Sequence, residues 1–136
     1  MSPGLAAALA DATMVLHFVV LAYIVFGGFL VWRWRRAIWP HLLAAAWGAA
    51  IVVVEPLECP LTYVENHFRA LAGDEALSGG FIDTYIEGVL YPERHAGLAQ
   101  ASAALVVALS WLGAYLRWRG DRAAELRRAG ADRVGR

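Results

Sequence analysis

The chain has 136 residues, which is room for one domain. Sixty per cent of them are hydrophobic and the mean hydropathy is positive, more apolar surface than a soluble domain of this size can bury. Twelve basic and twelve acidic residues cancel, so net charge gives no basis for a nucleic-acid partner, and the single cysteine excludes an intramolecular disulfide.

The charges are unevenly placed. All the basic residues are arginine. The stretch from Glu55 to Arg94 is acidic, whereas that from Arg117 to Arg136 is basic. Ala12 to Trp32 is an uncharged run closed by Arg33, Arg35 and Arg36. About twenty apolar residues suffice to cross a bilayer core of roughly 30 Å as a helix. The leader before this run has no basic residue and the run ends in WRWRR, which disfavours a cleaved signal peptide. The second span covers about 37–55, with Pro40 in its first turn and an end at Glu55-Pro56. Its Ala44/Gly48 and Ala45/Ala49 pairs have the spacing that lets helices approach closely. The third span covers about 97–116 and ends at Arg117 and Arg119, with small residues at Ala99, Ala103, Ala104 and Ala108.

Both arginine clusters fall on one side of such a three-span layout. Basic residues favour the cytoplasmic side, so the N-terminus is expected outside and the C-terminus inside. Trp32, Trp34, Trp39, Trp111 and Trp118 then gather near the inner interface, as an aromatic belt would.

The outer segment, 56–96, reads as two short amphipathic helices. Thr62 and Glu65 have the spacing of a capping box. A helix would follow from Tyr63 to Leu71, with Val64, Phe68 and Leu71 on its apolar face and Gly73 as its stop. A second helix is expected from Phe81 to Tyr91, before Pro92. The predicted fold is an all-α membrane protein, in which three transmembrane helices and these two outer-face helices pack as a compact bundle over residues 1–119. The Arg-rich tail, 120–136, has little to bury and reads as a frayed helix or disorder.

His17 is the sharpest polar feature, because an ionisable group inside a span usually faces the bundle interior. It is expected to face the segment that carries Glu55, Glu58, Cys59, Glu65, Asn66 and His67, and these residues form the candidate functional cluster. Imidazole, carboxylate and thiolate are zinc ligands in kind, but their spacing matches no standard metal motif. Two acids beside Cys59 disfavour its thiolate and argue against a nucleophile. His41 lies at the opposite depth, so His17 has no histidine partner within a span for axial haem ligation. No cofactor is implied. No phosphate loop, G-x-S-x-G or H-E-x-x-H occurs.

The string Cys59-Pro60-Leu61-Thr62, followed by Glu65-Asn66, resembles that of an uncharacterised family of small bacterial inner-membrane proteins, known as a domain of unknown function. Leu16-His17, Gly27-Gly28, His41, Ala46-Trp47-Gly48, Ser78-Gly79-Gly80-Phe81-Ile82 and Tyr91-Pro92 extend the resemblance over about residues 10–118. The resemblance implies a topology and candidate positions but no reaction. The leading reading is a non-enzymatic inner-membrane protein that packs, stabilises or binds lipid or another membrane protein at the outer leaflet. The alternatives are a membrane enzyme or metal-binding protein with an outer-facing His/Glu site, and a small-molecule or ion carrier.

Overall fold

The computed structural model describes residues 1–54, 57–87 and 89–134. Helix α1 runs from Pro3 to Phe26, and so starts well before the first span expected from hydropathy. Its start is set locally. The Ser2 hydroxyl accepts a hydrogen bond from the Leu5 N–H, and Pro3 occupies the first turn, where a missing N–H costs nothing. After Phe26 the helix tightens into a 3-10 segment, Gly27–Trp32, so that one rod covers Pro3–Trp32. Trp34 has an extended backbone and breaks the rod. A 3-10 turn, Arg35–Ala37, leads into α2, Ile38–Val53. The expected end at Glu55-Pro56 lies outside the described residues, but Val54 is already extended.

Helix α3 covers Pro60–Ala72 and α4 covers Phe81–Tyr85. Gly73 closes α3 with φ 90°, the left-handed stop expected of it. Three expectations for this segment are corrected. First, no Thr62/Glu65 capping box forms: the Thr62 N–H bonds to the Cys59 carbonyl at 2.9 Å, and Glu65 turns inward. Second, the docked face of α3 carries Thr62 and Glu65, while Val64 and Leu71 of the expected apolar face remain exposed. Third, α4 stops at Tyr85 and does not continue to Tyr91. The N–H groups of Ile86 and Glu87 both bond to the Ile82 carbonyl, which ends regular helix. A lone bridge between Glu87 and Tyr91 follows. β-branched Ile86 and Val89, with Pro92 next, give little support to a longer helix.

Helix α5, Ala96–Val134, is a single rod of 39 residues, about 58 Å long at 1.5 Å per residue. The chain after Gly120, expected as a frayed helix or disorder, continues the third span as regular helix to Val134. Extending an existing helix avoids the nucleation cost, and Arg, Ala, Leu and Glu are good helix formers.

The bundle is organised around α1. Helix α3 packs along α1, whose buried stripe Ala6, Ala10, Thr13 and His17 has helical spacing and small residues in three of its four positions. Helix α5 packs on the Gly27–Trp32 segment and on α1. Helix α2 meets α1 where Gly48 leaves room for Ile24, since a Cβ there would lie 3.2 Å from the Ile24 side chain. Large apolar residues such as Val15, Leu43, Leu105 and Leu109 face outward along the rods. Among the described residues, three helices are long and apolar enough to cross a membrane. In lipid the outward apolar groups carry no hydrophobic penalty, which accounts for so small a protein core.

Candidate functional site

The candidate residues are distributed around the packing of α3 and α4 on α1. His17 is 7% exposed and stacks on Phe81, with ring centroids 3.8 Å apart and planes inclined by 18°. Phe81 also touches Phe18 edge-on and leans on Tyr85. The Tyr85 hydroxyl donates to Glu65 Oε1 at 2.7 Å, and Glu65 is 1% exposed. A chain of contacts therefore runs from His17 through Phe81 and Tyr85 to Glu65. Burial, reinforced by the hydrogen bond to Glu65 and by that carboxylate's charge, pushes the Tyr85 phenol up to about 12.

Two polar atoms in this arrangement have no partner among the described residues: His17 Nδ1 and Glu65 Oε2. A buried polar atom left unpaired costs about 1–3 kcal/mol, so each is a point where water, a proton or a ligand would be welcome.

The other described residues of the expected cluster do not converge. Asn66 Oδ1 accepts from the Leu77 N–H at 2.9 Å, and Arg69 Nε donates to the Glu75 carbonyl at 2.8 Å, so these side chains fasten the loop after Gly73 onto α3. His67 is exposed and leans against Phe68. Glu58 is exposed, and Cys59 is half-buried and caps α3. Glu55 lies outside the described residues. Among the described residues, no three His, Cys, Asp or Glu side chains are grouped to hold a metal ion.

Sequence reasoning undervalued the opposite end. His41 is fully buried. Its Nδ1 accepts from the Trp111 indole N–H at 3.0 Å, so the ring proton sits on Nε2, which lies 3.1 Å from the Ile24 carbonyl. That carbonyl is in the last turn of α1, where intrahelical partners run out. Trp32 adds a bond from its indole N–H to the Ser110 carbonyl at 2.8 Å. Gly28 makes the approach possible, since a Cβ there would overlap the Ser110 hydroxyl. The available signal was the Gly27-Gly28 pair, placed to face a small residue and a ring.

A family model for a protein of unknown function, DUF2784, matches residues 7–116. The chain belongs to the DUF2784 family. The DUF2784 region takes in His17, the α3–α4 segment, His41 and Trp111, and stops just before the arginine-rich part of α5. No match was found among curated proteins or among solved structures.

Proposed function

We propose that this DUF2784 member is a non-enzymatic protein of the bacterial inner membrane, N-terminus outside and C-terminus cytoplasmic, whose α3–α4 segment forms a docking cap for lipid or another membrane protein at the outer leaflet. The observation that carries this reading is the inverted face of α3. Its polar residues Thr62 and Glu65 turn inward, while Tyr63, Val64 and Leu71, with Val89 and Leu90 beyond α4, stay exposed. The internal bonds of Asn66, Arg69 and Tyr85 hold the cap in one shape, so that its outward apolar side is presented as a fixed surface. Exposed apolar groups of this kind mark contact with lipid or protein. The arginines at the other end of the rods support the orientation.

Photo-crosslinking groups at Leu71 and Val89, activated in native membranes, test this reading. Adducts with phospholipid or with one membrane protein are expected. Efficient labelling of both positions by a membrane-impermeant, water-soluble reagent, with no such adduct, would sink it.

A second reading, a His/Glu site facing the outer side, draws on the unpartnered atoms of His17 and Glu65. Under it, His17→Asn abolishes retention of a metal or small molecule during purification while the helical content is unchanged. Under the first reading the same variant loses nothing that co-purifies.

A further inference from the structure

At the arginine-rich end, the Arg35–Ala37 turn, the start of α2 and the part of α5 beyond its apolar stretch surround an open pocket of about 320 Å³. Arg35, Arg36, Ile38, Trp39, Trp118 and Arg122 line it. Arg35 is held from two sides. Its guanidinium lies 3.2 Å from the Asp121 carboxylate and 5.5 Å from the centre of the Trp118 ring. Among the described residues, Arg36 and Arg122 have no carboxylate within salt-bridge distance. Three guanidinium groups against one carboxylate leave two positive charges on the pocket.

The pocket's depth narrows the choice of occupant. It lies where the rods leave their apolar stretches, among tryptophans of the kind that sit at headgroup level, and Trp39 is 74% exposed. A guanidinium fork matches two oxygens of one phosphate, and basic pockets between spans are suited to anionic headgroups. We propose that this pocket binds the phosphodiester of an anionic phospholipid from the adjoining leaflet. Arg36 and Arg122 grip the phosphate oxygens. Arg35 is kept in position by Asp121 and Trp118. Ile38 and the Trp39 ring meet the glycerol and the first acyl carbons. The site is separate from the α3–α4 cap and holds whichever reading of that cap is right.

The same chemistry would admit free inorganic phosphate, and the experiment separates the two sources. The full chain in a neutral detergent is titrated with phosphatidylglycerol, phosphatidylcholine or inorganic phosphate, and bound species are measured by native mass spectrometry. Phosphatidylglycerol should bind in preference to phosphatidylcholine. The double variant Arg36→Gln/Arg122→Gln should weaken it about tenfold or more, since both free charges are removed. Arg127→Gln/Arg128→Gln, the same charge change farther along α5, should leave it unaltered. Asp121→Asn should strengthen binding, a gain that no loss of folding can imitate. Equal binding of the two lipids, an equal loss in both double variants, or weaker binding by Asp121→Asn would overturn the proposal. Displacement of phosphatidylglycerol by an equal concentration of inorganic phosphate would overturn the lipid assignment.

Discussion

The two ends of the first rod use a buried histidine in opposite ways. At the arginine-rich end, both ring nitrogens of His41 are engaged, by Trp111 and by the Ile24 carbonyl, and one side chain thereby ties α1, α2 and α5 together. At the α3 end, His17 is almost as deeply buried, yet its Nδ1 has no partner and its main contact is the face of Phe81. A fully satisfied polar group inside a bundle fixes one arrangement of helices. A buried polar atom without a partner leaves interaction energy unused. His41 thus joins three helices through two hydrogen bonds, whereas His17 Nδ1 and Glu65 Oε2 are the polar atoms without a partner among the described residues.

The largest test of that contrast removes each imidazole. His41→Leu strands the Trp111 N–H and the Ile24 carbonyl and should cost about 2–4 kcal/mol in denaturant unfolding in detergent. His17→Leu, which deletes an atom already unpaired and keeps an apolar contact for Phe81, should change stability by less than about 1 kcal/mol. Equal costs at the two positions would erase the distinction.

A smaller effect concerns the Tyr85–Glu65 bond, which latches α4 to α3. The phenol's pKa is raised from 10.0 to about 12 on folding. A raised value means that the stabilisation is complete below the unfolded pKa and is lost as pH climbs through the folded one. The latch should therefore hold to about pH 10 and release between about 10 and 12. Tyrosinate absorbance compared with that of Tyr85→Phe should show one residue titrating late, with amide exchange in α3 and α4 rising in step. Titration of Tyr85 near 10 would remove the latch from the account.

The smallest effect is expected from Asp121→Ala. The Arg35–Asp121 pair joins two side chains that are each more than half exposed, and such pairs contribute about 0–1 kcal/mol. Thermal unfolding should barely move, in contrast to His41→Leu at the same end.

The three rods were legible because hydropathy and charge are summed over some twenty residues, and local detail does not alter the sum. The stop at Gly73 was legible because a single position demanded a left-handed backbone. The inversion of α3 was not, since periodicity marks an apolar face without saying whether lipid or protein will cover it. Val64 and Leu71 remain exposed, and Glu65 is drawn inward by a tyrosine twenty positions away. The importance of His41 was hidden for a similar reason: its partners, Ile24 and Trp111, lie on other helices, and only tertiary packing brings them to it. The membership of the candidate cluster was read from shared depth in the three-span layout, which put His67 and Glu58 at the level of His17 although their side chains are exposed.

The change of winding in the first rod links its two ends. A 3-10 helix turns about 120° per residue against about 100° in an α-helix. Over the six residues Gly27–Trp32 the difference accumulates to roughly 120°, so the surface shown to α5 is rotated relative to the surface shown to α3. One cylinder thus works as a two-throw crank, with its offset built into the Gly27-Gly28 pair. Adding or deleting a single residue between Phe18 and Phe26 would turn one throw about 100° against the other. The chain could then seat either the cap or the His41 joint, but not both, which makes the spacing between His17 and Gly27 as restrictive as the identity of the residues themselves.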